Sequence, residues 1–138
     1  ILTDANGWAC PWLYVYDGCA FVRRTEILRS LRGKQNEQTE VSSIGAVPVV
    51  DGVITLEIAE EKSEITFLDT LTLIVDGVEV RAEAESVVAA QVSEGDQDYL
   101  VIASGQSYVF RFRLPAAFAD LAQADVSIAV TGFYVPLD

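Results

Sequence analysis

The sequence predicts an all-β protein: an antiparallel β-sandwich, immunoglobulin-like or jelly-roll-like, of nine to ten short strands with one or two short helical turns. Three observations carry this expectation. Short runs of alternating apolar and polar residues recur along the chain, turn dipeptides separate them about every ten residues, and no long helical pattern alternates with the strands. Across 138 residues there is no internal repeat, low-complexity tract or linker, so residues 1–138 read as one β-sandwich domain.

The elements follow in order. Asp17-Gly18, Asp51-Gly52 and Asp76-Gly77 each suit a two-residue hairpin turn, whose central positions both need positive φ. The first, as a two-residue turn, sets Cys19 opposite Tyr16. Residues 26 to 32 could form a short helix stopped by Gly33. Around Asp51-Gly52, Ile54, Leu56 and Ile58 face inward, and the arithmetic pairs them with Val49 and Val47. Before Asp76-Gly77, Ile65, Phe67, Leu71, Leu73 and Val75 alternate with threonines; after it, Val78, Val80, Ala82 and Ala84 alternate with Glu79, Arg81 and Glu83. A two-residue loop then sets Val75 opposite Val78, Leu73 opposite Val80 and Leu71 opposite Ala82, so one face is apolar on both strands. Gly105-Gln106 reads as a further hairpin, with Ala103 opposite Tyr108 and Val101 opposite Phe110. Pro115 ends that strand. A helical turn over Ala116 to Ala122 precedes a last strand with Val126, Ile128, Val130 and Tyr134 on one face.

The N-terminal hairpin is apolar on both sides. Trp12, Tyr14, Tyr16 and Phe21 share one face, and Leu13, Val15, Ala20 and Val22 share the other. An antiparallel strand usually keeps one polar face, so the second face is covered either by the chain itself or by a subunit or ligand, contacts in which aromatic residues are enriched. Cys10 and Cys19 point to a disulfide in an oxidising compartment. A two-residue turn, however, leaves Cys10 roughly 20 Å from Cys19 at about 3.3 Å per strand residue, and a disulfide needs Cα atoms within about 7 Å. Either the segment before Trp12 folds back over the hairpin, or the cysteines stay reduced, or they bond to other chains.

Cys10-Pro11-x-Leu13-Tyr14-x-Tyr16-Asp17-Gly18, followed by Phe21-Val22 and Glu26-Ile27-Leu28, resembles the opening of β-rich domains of secreted and cell-surface proteins of bacteria and archaea. Thr131-Gly132-Phe133-Tyr134 is similar to their closing strand. The resemblance covers about a third of the chain, implies an exported β-sandwich module and carries over no catalytic residue. Cys19 departs from the pattern.

Charge and composition narrow the function. The chain has 21 acids against 9 bases, a net charge of −12. Nucleic acid is not expected as a partner, because phosphate binding needs clustered cations over most of the contact face. Five of the bases, Arg23, Arg24, Arg29, Arg32 and Lys34, fall in one stretch opposed only by Glu26. This basic spot on an acidic body is either a solvated loop or a docking point for an acidic surface. A saline habitat would also account for the acidic, lysine-poor composition. No apolar run approaches the roughly 20 residues that cross a bilayer as a helix. The chain begins at Ile1 and contains no methionine, which reads as a processed, exported form.

With no histidine, Ser-His and Cys-His nucleophile pairs, histidine zinc sites and imidazole bases are absent. Glu57, Glu60, Glu61 and Glu64 cluster, and glycoside hydrolysis needs two acids about 5 to 10 Å apart, but acids at strand ends are mostly just solvated. The expectation is therefore no enzyme. Glu94-Gly95-Asp96-Gln97-Asp98 could hold calcium, although it lacks the spacing of an established calcium loop; no other cofactor is implied.

These readings converge on a structural protein of the cell exterior that assembles with copies of itself into a fibre, tube or surface layer. Edge strands and the N-terminal hairpin would make the contacts, with Asp125–Val135 or Ile1–Trp8 as the added strand. The contact residues expected are Trp8, Trp12, Tyr14, Tyr16, Arg23, Arg24, Arg29 and Arg32. The alternative is a carbohydrate- or peptide-binding module of a larger surface protein, in which Trp8, Trp12, Tyr14 and Tyr16 form an aromatic platform for a glycan.

Overall fold

Alternation along the strands decides which residues are buried, and two sheets meet over the apolar faces it produces. The structure, a computed structural model, describes residues 11–27, 38–61, 64–81 and 100–136. Nine strands occur among them: β1 (Trp12–Tyr16), β2 (Phe21–Glu26), β3 (Gln38–Pro48), β4 (Val53–Ala59), β5 (Glu64–Val75), β6 (Val78–Arg81), β7 (Leu100–Ile102), β8 (Ser107–Arg113) and β9 (Gln123–Pro136). A four-stranded antiparallel sheet has the order β2-β1-β4-β8. The five-stranded sheet has the order β3-β9-β5-β6, and β7 shares with β6 the outer edge of β5. The fold is the β-sandwich that the sequence predicts.

Leu13, Val15, Ile54, Leu56, Ile58, Phe110 and Phe112 point inward from the smaller sheet, against Val47, Leu71, Leu73, Val75, Val126, Ile128, Val130 and Tyr134 from the larger. Fully burying each such aliphatic or aromatic side chain is worth about 1.5–3 kcal/mol.

The turns behave as expected locally and less so globally. Asp51 and Asp76 adopt φ of 52° and 50°, and Gly52 and Gly77 follow at 75° and 79°, the paired left-handed conformations of a two-residue turn. At Asp76-Gly77 the register matches the expectation, with Val75 opposite Val78 and Leu73 opposite Val80; Ala82 and Ala84 lie outside the described residues. At Asp51-Gly52 only Val50 and Val53 pair, through hydrogen bonds of 2.9 and 3.0 Å. The flanking strands then part. β3 runs along β9, with Val47 opposite Ala124, and β4 enters the other sheet, with Ile54 opposite Phe112. The expected pairing of Ile54, Leu56 and Ile58 with Val49 and Val47 is thus replaced by a corner between sheets.

Gly105 is also a corner. β7 pairs with β5 and β8 with β4, so Ala103 does not face Tyr108. The turn closes from Gln106 N to the Ala103 carbonyl at 2.9 Å, with Gly105 at φ 84° in its third position, where a type II turn needs positive φ.

Bulges set the phase of three strands. Asp69 interrupts the pairing of β5 with β9, so Glu64, Thr66 and Leu68 point inward before it and Leu71, Leu73 and Val75 after it. Ile65 and Phe67, expected on the inner face, lie on the outer one. There Phe67 stacks on Phe133 with centroids 4.8 Å apart. Ile44 plays the same part in β3 and Arg24 in β2. Opposite the β5 bulge, Gly132 comes so close that an added Cβ would collide with the Phe67 carbonyl oxygen. Residues 116–120 form successive turns rather than a helix, held by bonds such as Phe118 N to the Pro115 carbonyl at 2.9 Å. Glu26 belongs to β2, and the rest of the helix expected at 26–32 lies outside the described residues beyond Ile27.

Candidate functional site

Register builds the outer face of the four-stranded sheet in transverse rows. Because successive side chains alternate, Leu13 and Val15 enter the core while Trp12, Tyr14 and Tyr16 stand half-buried on the outside. Phe21 lies opposite Tyr16, and Thr55 opposite Arg111. The next row holds Arg23, Tyr14, Glu57 and Val109. The last described row places Trp12 between Glu26 and Ala59. The aromatic stripe expected from the sequence therefore exists, and β1 is its backbone.

Its upper part is occupied from within. The Arg23 guanidinium lies over the Trp12 ring, 3.8 Å from the centroid, a cation–π contact. The same guanidinium forms an ion pair with Glu61, whose other oxygen accepts the Tyr14 hydroxyl proton. That hydrogen bond holds the Tyr14 phenol above its ordinary pKa, with partial burial and the Glu61 charge adding to it. The ion pair is about half-exposed, so its own worth is at most about 1 kcal/mol; its effect is to hold Arg23 over the Trp12 ring. No local sequence pattern marks Glu61 as the partner, since it lies 38 positions from Arg23.

The other end of β1 is a preformed turn. Tyr16 faces Phe21 rather than Cys19, so the loop spans Asp17–Ala20 instead of the two residues expected. The Asp17 carboxylate accepts from Cys19 N and Ala20 N, both at 2.8 Å, and these bonds hold its pKa below the usual carboxylate value. Cys19 is an exposed free cysteine in this turn. Pro11, at the opposite end of the hairpin, accepts from Ile27 N at 3.0 Å. The five strand residues between them span roughly 17 Å. Cys10 lies outside the described residues, as do Trp8, Arg29, Arg32 and Lys34.

Arg24, the bulged residue of β2, reaches across the sandwich. Its Nη1 donates to the Ile44 and Ala46 carbonyls at 2.7 and 3.1 Å, next to the bulge of β3. Both arginines of the basic spot that are described thus have internal partners. Between the hairpin turn and β8 the outer face opens into a groove of about 470 Å³, lined by Tyr16, Phe21, Val50, Asp51, Val53, Thr55, Arg111 and Arg113.

The glutamate cluster divides between two environments. Glu57 and Glu61 belong to the outer face, whereas Glu60 and Glu64 are buried, and Glu60 accepts the Thr66 hydroxyl proton at 2.7 Å. Among the described residues no group of three His, Cys, Asp or Glu side chains converges as metal ligands, and Glu94–Asp98 lies outside them. No helix among the described residues is long and apolar enough to cross a membrane.

A second surface, missed in the sequence, is the outer face of the five-stranded sheet. Thr39, Val41 and Ser43 of β3, Ser127, Ala129 and Thr131 of β9, and Thr70, Thr72 and Ile74 of β5 are neighbours in register. None of these nine is charged, in a chain where 22% of residues are; the charges of this face stand at its margins, on Glu79 and Arg81 of β6 and on Asp125 of β9. Thr39 and Thr131 share a hydrogen bond of 2.7 Å, and Val41 is 63% exposed. Their small, alternating side chains conceal the pattern, because threonine and serine read as polar and solvated. Along its free side β3 has no strand partner among the described residues, and Arg24 occupies carbonyls only at its Ile44–Ala46 end. β9, expected as a donated strand, is instead central, between β3 and β5. No protein family, curated protein or solved structure matches this chain.

Proposed function

We propose that the chain is an exported, non-enzymatic structural protein whose sandwich joins copies of itself into an extracellular fibre, tube or surface layer. The supporting observation is the uncharged field shared by β3, β9 and β5, beside the half of β3 from Gln38 to Ser43 that has no strand partner among the described residues. Sheet edges are ordinarily protected by charge, proline or a covering segment. Here Arg24 guards one half of the β3 edge, and the other half carries a single charge, on half-buried Glu40, beside exposed Val41. β3 lies at one side of its sheet and β6 with β7 at the other. Pairing β3 of one copy with the opposite edge of the next is therefore head-to-tail and extends without closing. The N-terminal hairpin enters this reading through Cys19, whose exposed position suits a covalent link between neighbouring copies.

Sedimentation velocity across a concentration series tests the reading. The parent chain grows in mass with concentration, and Val41→Lys, which places a charge on the edge, needs about ten times the concentration for the same mass, a shift of about 1.4 kcal/mol. A parent chain that stays monomeric to about millimolar concentration, a range that covers weak associations, contradicts it.

A further inference from the structure

We infer that the groove between the hairpin turn and β8 is a binding site for an acidic sugar, a pyranose carrying a carboxylate as in a uronic-acid polysaccharide. Its volume of about 470 Å³ falls within the range of roughly 300–1,000 Å³ typical of ligand pockets. The inference does not rest on self-assembly, whose strand pairing is placed on the other sheet.

The two walls differ in chemistry. Tyr16 and Phe21 form an aromatic wall, their centroids 5.3 Å apart and their planes tilted by 48°. The negative faces of such rings attract the polarised C–H groups of a pyranose. Across Thr55, the opposite wall carries Arg111 and Arg113 from alternate positions of β8. Arg111 is exposed and makes no ion pair among the described residues. In a chain of net charge −12, the Arg111 guanidinium, on a groove wall that also carries Arg113, marks the place where an anion is attracted, and the guanidinium fork matches a carboxylate bidentately.

Asp51 decides between kinds of anion. It stands on the groove rim beside Val50 and Val53, where it accepts hydrogen bonds and repels a second negative charge. A sugar acid satisfies both ends, with hydroxyls donating to Asp51 and a carboxylate on the arginines. A poly-glutamate peptide also brings a carboxylate at every residue but has no hydroxyl to donate to Asp51. The walls are also held before binding. The Tyr16 hydroxyl donates to the Gly18 carbonyl at 2.9 Å, the Asp17 carboxylate ties the turn, and Asp51 is fixed in its two-residue turn. Preformed walls reduce the ordering cost of binding.

The test is calorimetric titration of the intact chain with a galacturonic-acid oligosaccharide, a neutral galactose oligosaccharide of equal length and a poly-glutamate peptide. The uronate binds saturably and weakens as salt is raised, as a charge-dependent contact must. Arg111→Gln and Phe21→Ala each weaken it at least about tenfold, the order expected for losing one hydrogen bond to a charged group or one stacked ring. Both positions are exposed, and circular dichroism verifies that each variant folds. Equal binding of the neutral oligosaccharide, tighter binding of poly-glutamate, indifference to both substitutions, or no heat at about millimolar ligand overturns the assignment.

Discussion

At the scale of single residues, the outer-face cluster shows how a charge, a ring and a hydroxyl settle one another. Glu61 accepts from Tyr14 and pairs with Arg23, and Arg23 covers Trp12. Because the Tyr14 pKa in the folded chain is raised, the bond contributes stability that is fully present below the unfolded tyrosine value of about 10. That contribution is lost as pH rises through the folded value. An ultraviolet titration of tyrosinate will therefore include a late-ionising phenol, and Glu61→Gln will move its ionisation to lower pH. A second residue-scale prediction concerns Gly132. Its missing Cβ is what lets β9 approach the Phe67 carbonyl and Leu68 Cα. Since the obstacle is backbone, Gly132→Ala will destabilise by roughly 2–4 kcal/mol, read as a lowered midpoint in urea unfolding. Gly77→Ala meets no neighbour within 4 Å and loses only the conformational preference at positive φ, about 1–2 kcal/mol.

Elements show where sequence reasoning reached and where it stopped. Asp51-Gly52 and Asp76-Gly77 are chemically alike and fold into the same kind of turn, yet the first makes a corner between sheets and the second closes a hairpin. Turn chemistry is local, whereas the choice of partner is made by β9, whose pairing with β3 spans most of the chain. The same reason hides the bulge at Asp69. Ile65 and Phe67 outrank Glu64 and Thr66 in hydrophobicity, and only the register against β9 turns the latter pair inward. Inward positions that follow simple alternation, such as Ile54, Leu56, Phe110 and Ile128, were legible throughout, whereas the two apolar faces of β1 left open that Leu13 and Val15 are the inward pair. The Asp17 turn carries its own prediction. With a folded pKa below the unfolded value of about 4, its carboxylate supports the hairpin above that value and ceases to as pH falls through the folded one. Protection factors of the Cys19 and Ala20 amides, which remove the intrinsic pH dependence of exchange, will fall in that acid window, and in Asp17→Ala they will no longer change there.

For the whole molecule, the two sheets present different outer surfaces. The four-stranded sheet exposes rings, arginines and a groove; the five-stranded sheet exposes, across β3, β9 and β5, a field of threonine, serine, alanine, valine and isoleucine, with Glu79, Arg81 and Asp125 at its margins. The sequence revealed the first through its aromatic residues at alternate positions of β1. The second was concealed because its residues are small and scattered over three strands that meet only in the fold. Association through the edge of β3 gives the two surfaces separate roles, since one joins copies while the other remains open to solvent along the assembly. Hydrogen–deuterium exchange in dilute and concentrated solution tests this most directly. The amides of Gln38–Ser43 will gain protection with concentration while those of β8 keep theirs unchanged. Exchange in β3 that is the same at every concentration, or protection gained only in the β1–β2 hairpin, would contradict the account.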